Sequence, residues 1–193
     1  NFELLQKVIL PEKLKIIGES AFEGTGIKEI VLPSQVLLIG EKAFYDCRNL
    51  EVVTIPQNSL LQKIGRKAFE NTIITKIFIP SKVSHICDYA FYNCYKLQVV
   101  DVADNSGLKV IDECAFACTS IEKVSIPNQV LRICRFTFSD CENLQTVKLQ
   151  KESQLQIIEE SAFSNTPIKK IYIPPHVKRI SRCAFKNCKN LTN

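Results

Sequence analysis

An Ala-Phe pair returns along this chain at fixed intervals. Its phenylalanines are Phe22, Phe44, Phe69, Phe91, Phe116, Phe163 and Phe185, and Thr137-Phe138 supplies the remaining copy. The steps between them alternate between 22 and 25 residues, so one short and one long unit make a true period of 47. The short form reads "AFEGTGIKEIVLP" and the long form "AFYDCRNLEVVTIP". Five and eight positions before each Phe stands an aliphatic pair: Leu14/Ile17, Val36/Ile39, Leu61/Ile64, Val83/Ile86, Leu108/Ile111, Val130/Ile133, Leu155/Ile158 and Val177/Ile180. One unit of this size cannot bury its own apolar set. Stacking about eight units of 22–25 residues buries the sets as one continuous core, so the pattern specifies a solenoid.

The segment "LEVVTIP" and its equivalents read as strands. Alternation places Leu50, Val53 and Ile55 inward and Val52 and Thr54 outward. Pro56, Pro80, Pro127 and Pro174 follow the strands, where a missing N–H does little harm. Two residues after each Phe stands Gly24, Asp46, Asn71, Asn93, Asp140, Asn165 or Asn187, all types that tolerate a helix-ending or turn conformation. Cys118 departs from that rule. A short helix or 3₁₀ turn is expected between Ala-Phe and the strand.

Composition narrows the class. The 193 residues are 46% hydrophobic and 23% charged, which is a folding composition. No apolar run approaches the roughly 20 residues of a spanning helix. The formal charge of +5 comes from interleaved acids and bases, a mixed surface rather than a nucleic-acid footprint. Asn1 opens inside the pattern and Phe2 occupies the first cysteine slot, so residues 1–193 are expected to be one array cut from a longer protein, with truncated repeats at both ends.

Four of the nine cysteines, Cys47, Cys94, Cys141 and Cys188, share the slot three after Phe, and Thr25, Thr72, Thr119 and Thr166 hold it in the alternate units. Neighbouring units rise by about 4.8 Å, so same-slot cysteines lie roughly 10 Å apart. A disulfide needs Cα atoms within about 7 Å, so these four cannot pair with one another or gather on one zinc ion. They are expected to be buried, reduced thiols acting as small hydrophobes. The pairing of Cys87, Cys114, Cys118, Cys134 and Cys183 stays open, and an odd total leaves at least one thiol free or intermolecular.

The string "IGxxAFxxCxxLxxVxIP" resembles the BspA-like leucine-rich repeats, known from surface proteins of anaerobic bacteria and expanded in trichomonad protists. Ile39, Gly40, Ala43, Phe44, Cys47, Leu50, Val53, Ile55 and Pro56 carry the resemblance, with their equivalents along nearly the whole chain. Ala103 and Gln150 depart from it at the Pro, and Asp112, Glu159 and Ser181 at the Gly. The resemblance implies a leucine-rich-repeat solenoid: a parallel β-sheet on one face, short helical turns and loops on the other. It also implies cell-surface or extracellular display, and adhesion to host or partner proteins, with no catalytic residues to carry over.

Catalytic strings of the G-x-S-x-G, H-E-x-x-H or P-loop kind do not occur. The two histidines, His85 and His176, lie four units apart. "SHICDYAF" offers His85 and Cys87 two apart, too few ligands to expect a metal, and no cofactor is expected. "ADNSGLKV" reads as the longer loop of a long unit, and Asn190 in a lone glycosylation sequon also fills a repeat slot.

A partner would meet the outward strand residues. One row is Ile9, Val31, Thr54, Phe78, Asp101, Ser125, Lys148 and Tyr172; the other is Lys7, Glu29, Val52, Lys76, Val99, Lys123, Thr146 and Lys170. Apolar members there reflect either β-propensity on a half-exposed surface or a binding patch. The candidate protein-binding face is Val52, Thr54, Lys76, Phe78, Val99, Asp101, Lys123, Ser125, Lys170 and Tyr172. The expected function is a non-enzymatic protein-binding module, without nucleic acid or membrane insertion; the competing function is a structural spacer with no ligand of its own.

Overall fold

The computed structural model describes residues 4–192, so the expectation placed on Phe2 lies outside the described residues. The chain winds as a solenoid whose coils touch along three backbone ladders. The first ladder holds the expected strands, Glu29–Val31, Val52–Thr54, Lys76–Ile79, Val99–Val102, Lys123–Ile126, Thr146–Leu149 and Lys170–Ile171. Its pairings are parallel and in register, for example Val31 with Thr54, Phe78 with Asp101 and Ser125 with Lys148. Residues 7–9, the equivalent stretch of the first unit, do not form a strand. Side chains alternate as the pattern requires: Ile77 and Ile79 are buried, Lys76 is exposed and Phe78 half-buried.

The second ladder runs through two-residue strands, Ile16–Ile17, Leu38–Ile39, Lys63–Ile64, His85–Ile86, Val110–Ile111, Arg132–Ile133, Ile157–Ile158 and Arg179–Ile180. Ile17, Ile39, Ile64, Ile86 and Ile111 pair in series, as do Ile133, Ile158 and Ile180. These isoleucines were legible as inward positions but not as a ladder, and Ile180 departs from the expectation: in the last coil it is exposed.

The third ladder replaces the expected helical turn. The Ala-Phe segments contain no helix. Instead the residues two before and two after each Phe adopt left-handed backbone, as at Lys42 (φ 52°) and Asp46 (φ 56°). Inverting φ at alternate positions turns successive N–H groups in different directions. Ala43, Tyr45 and Cys47 N–H close four-residue turns inside their own coil, onto Gly40, Lys42 and Phe44 oxygens. Lys42, Phe44 and Asp46 N–H point along the stack and donate to Arg66, Ala68 and Glu70 oxygens of the next coil at 2.8–3.0 Å. A helix would aim every N–H back along its own axis and could not build this contact.

The fixed rise stacks the phenylalanines. Eight rings from Phe22 to Phe185 lie 5.1–5.6 Å apart, centre to centre, with planes within 10° of parallel. The left-handed position after each Phe carries a side-chain ladder as well. Asn71 Nδ2 donates to Asp46 Oδ1 (2.6 Å) and Asn93 Nδ2 to Asn71 Oδ1 (2.8 Å), and Asn165 and Asn187 continue the pattern from Asp140. Cys118 interrupts it at φ 57°.

Each Thr–Cys neighbour pair converges on one backbone carbonyl. Thr72 Oγ1 and Cys94 Sγ lie 3.3 Å apart, and both donate to the Phe69 carbonyl, at 2.9 and 3.0 Å. The same trio recurs at Thr25/Cys47, Thr119/Cys141 and Thr166/Cys188. Burial pushes the Cys94 and Cys141 thiols up to about 12. Cys188 departs from the expectation of full burial: it is half-buried in the last described coil.

Stacking is not uniform. Neither strand ladder bonds Val99–Val102 to Lys123–Ile126 or Val110–Ile111 to Arg132–Ile133. Only the Ala-Phe ladder crosses that junction, through Cys114, Phe116 and Cys118 N–H to Arg135, Thr137 and Ser139 oxygens. Val100 and Val102 are half-buried there, whereas their equivalents Ile77, Ile79, Val124 and Ile126 are buried.

Two outcomes follow from this construction. Cys118→Asn restores the side-chain ladder and puts a left-handed-tolerant residue at a left-handed position, so it stabilises by about 1 kcal/mol. A rise in the urea midpoint at unchanged slope checks it; no rise or a fall contradicts it. Cys47, Cys94 and Cys141 resist a thiol-labelling reagent in the native protein, while half-buried Cys118, Cys134, Cys183 and Cys188 react first. Mass spectrometry of labelled native protein reads this directly, and early labelling of Cys94 refutes it.

Candidate binding face

The outward row is built by strand alternation on the first ladder. Val31, Val52, Val99 and Tyr172 are exposed by 62%, 47%, 37% and 51%, values that leave much of each apolar side chain in water. Phe78 is half-buried, and Thr54, Asp101, Lys123, Ser125 and Lys170 are exposed. Register puts Lys76 beside Val99 and Phe78 beside Asp101. Lys76 Nζ reaches diagonally to an Asp101 carboxylate oxygen at 2.5 Å, across this four-residue square. Both partners are exposed, so the pair orients the surface more than it stabilises it.

The expected residues do not form one unbroken sheet. Val52–Thr54 and Lys76–Ile79 sit in successive coils without ladder pairing. The larger discontinuity is the junction after Val102, which opens a cleft of about 920 Å³ on this face. Val99 and Asp101 line one wall, Lys123 and Ser125 the other. The 103–106 loop, read from sequence as the long-unit insertion, forms one side, and Lys148 and Glu152 reach it from the following coil. The cleft therefore joins apolar floor at Val100, Val102, Val124 and Ile126 to a rim of both charges. Lys170 and Tyr172 lie two coils beyond Lys123 and Ser125 along the same face.

Sequence reasoning missed the cleft because every unit there keeps its strand pattern; only the pairing between coils fails. It also missed a convergence on the second ladder. Among the described residues, one group of metal-ligating side chains converges: His85, Cys87 and Asp112, whose ligand atoms lie within 4.8 Å of one another. Asp112 was noticed as a departure from Gly, but not as the neighbour of Cys87. Among the described residues no helix is long and apolar enough to cross a membrane.

Comparison with known proteins agrees with this architecture. The profile of the BspA type leucine rich repeat region matches in six copies over residues 1–98 and 62–192. No curated protein matches by sequence. A leucine-rich repeat protein from Bacteroides ovatus superposes with a TM-score of 0.80 at 25% identity, over 94% of this chain and 52% of its own. The chain thus spans about half the length of that relative. The T. pallidum leucine rich repeat protein gives a TM-score of 0.75 at 25% identity, over 92% of this chain and 83% of its own. A leucine rich cell surface protein from Faecalibacterium prausnitzii shares the fold, with a TM-score of 0.53 at 22% identity over 92% of this chain and 76% of its own. With its repeat matched from one end to the other and its coils superposing on those of solved leucine-rich repeat structures, the chain belongs to the BspA-type leucine-rich repeat family.

Proposed function

We propose that this array is a non-enzymatic protein-binding module of a cell-surface protein, and that it docks a host extracellular or cell-surface protein through the face running from Val52 across Phe78 and Val99 to the cleft walled by Lys123 and Ser125. The observation that carries this reading is apolar exposure in successive coils of one face. Val52 and Val99 leave 47% and 37% of their surface in water on a sheet whose other outward positions are largely polar. Half-buried Phe78 lies in the coil between them. Interfaces draw most of their affinity from a few such anchors surrounded by polar contacts. Membership in a repeat family whose solenoids present one long surface supports binding over catalysis. The name of the Faecalibacterium relative supports display at a cell surface.

Phe78→Ser separates this function from that of a spacer. Phe78 points away from the core between Ile77 and Ile79, so the variant loses only partial burial, about 1 kcal/mol of stability. At the interface the same truncation costs about 2 kcal/mol or more, a weakening of roughly thirtyfold. The measurement is a binding screen of the intact array against extracellular-matrix and cell-surface proteins, followed by titration of the strongest hit with wild type, Phe78→Ser and Val52→Ser. Loss of binding with little change in melting temperature supports the face. No hit for the wild type, or equal binding by both variants, leaves a structural spacer.

A further inference from the structure

We infer that His85, Cys87 and Asp112 form a binding site for a single zinc-type divalent cation at the edge of the second ladder, remote from the proposed docking face in its chemistry and independent of it. His85 opens the two-residue strand His85–Ile86 and Cys87 follows it directly, with buried Ile86 between them. Asp112 comes from the next coil. His85 pairs with Val110 and Ile86 with Ile111, and Asp112 N–H donates to the Ile86 carbonyl at 2.9 Å. That register sets Asp112 in the repeat slot directly after Cys87. His85 Nε2 and Asp112 Oδ2 are 2.5 Å apart, and the Cys87 sulfur completes a trio with all ligand atoms within 4.8 Å.

The donor set suits the ion. Zinc accepts imidazole nitrogen and carboxylate oxygen at about 2.0–2.2 Å and thiolate sulfur at about 2.3 Å. Tetrahedral angles then separate the ligand atoms by roughly 3.3–3.8 Å. The ion would part His85 from Asp112 and draw Cys87 inward, movements within reach of side-chain rotation. Three protein ligands leave a fourth position for water. The His85 and Asp112 side chains are 33% and 27% exposed, which supplies the opening, while Cys87 is buried behind them. Mixed nitrogen, sulfur and oxygen donors favour zinc or cobalt over calcium or magnesium, which take oxygen alone.

The repeat provides the second argument. The slot four before Phe holds Gly18, Gly40 and Gly65 in the early units, then Cys87, Asp112, Cys134, Glu159 and Ser181. Neighbouring coils approach so closely there that a Cβ on Gly65 would lie 2.6 Å from the Gly40 backbone. Side chains fill this corner in every later unit, but only at Cys87 and Asp112 does a histidine, His85, stand on the adjoining strand position. Lys63 and Asp88 are the other charged groups beside Cys87. Lys63 is exposed on a long flexible stem and is free to turn away from an incoming cation.

Binding releases the Cys87 thiol proton to solvent as the thiolate–metal bond forms, about one proton per ion. The test is titration of the metal-free protein with cobalt(II), then displacement by zinc(II). The expected result is one equivalent bound, a thiolate-to-cobalt charge-transfer band and tetrahedral visible bands. Cys87→Ser should remove the charge-transfer band, and His85→Ala and Asp112→Asn should each weaken zinc at least tenfold. His176→Ala should bind as wild type does. Circular dichroism confirms folding, and the partly exposed His85 and Asp112 give variants that do not disturb the core. Absence of the charge-transfer band in wild type, its survival in Cys87→Ser, or wild-type affinity in His85→Ala overturns the site.

Discussion

The structure rests on the hydrogen bonds that one Ala-Phe turn donates to the next. Each turn sends three N–H groups along the stack, from positions such as Lys42, Phe44 and Asp46. The direction of those bonds depends on two left-handed residues per coil, which cost conformational energy in any L-residue other than Gly, Asn or Asp. What repays that cost is cooperative. The bonds set the rise, the rise brings the Phe rings to stacking distance, and the buried rings carry the largest apolar area in each coil. The Thr–Cys pairs fall inside the same turn, where a Phe carbonyl accepts from both hydroxyl and thiol, so the polar atoms that burial would otherwise orphan are satisfied.

This dependence explains why the junction after the fifth Phe matters. Both strand ladders stop there, yet the turn ladder and the Phe116–Phe138 contact continue, at 5.6 Å. The coils therefore part on the strand side while staying joined on the Phe side, and the parting is the cleft. Opening exposes Val100 and Val102 and leaves backbone edges of Val99–Val102 and Lys123–Ile126 without each other. In a solenoid such an opening costs only one interface, because each coil contacts only its neighbours. A binding surface can thus be built at one junction without loosening the rest.

Much of the fold was legible because its signals are local. The alternation in "LEVVTIP", the inward isoleucines and the Asn or Asp after Phe each report on a single coil. The alternation of Thr and Cys in one slot was legible as well, though not the Phe carbonyl that both of them bond. What escaped was set by direction or by neighbours. Two-residue strands such as His85–Ile86 are too short to show alternation. The left-handed residues before Phe include Lys42, Tyr89 and Phe136, types with no turn preference, so their conformation is imposed by bonding to the next coil rather than by propensity. The outward row was readable as a row, but its division at the cleft was not, since Lys123–Ile126 has the same pattern as strands that do pair.

Departures from the repeat carry information that agreement with it does not. In the inward slots, packing against two neighbouring coils fixes the residue type, so a conserved pattern within the chain reports only on stacking. A departure has to be accommodated by the coils on either side. Cys118 is accommodated at the expense of the Asn ladder, which stops at Asn93 and resumes at Asp140, and it meets the Tyr92 side chain alone in exchange. Cys87 and Asp112 differ in kind. They stand in adjacent coils in a slot that earlier units fill with glycine, and they arrive with a histidine whose nitrogen bonds the carboxylate. Three independent substitutions that brought their polar atoms together by accident would each have to be tolerated alone. A single shared ligand gives all three the same reason to be there, and it requires each of them to be next to the others, which is where the register of the second ladder puts them.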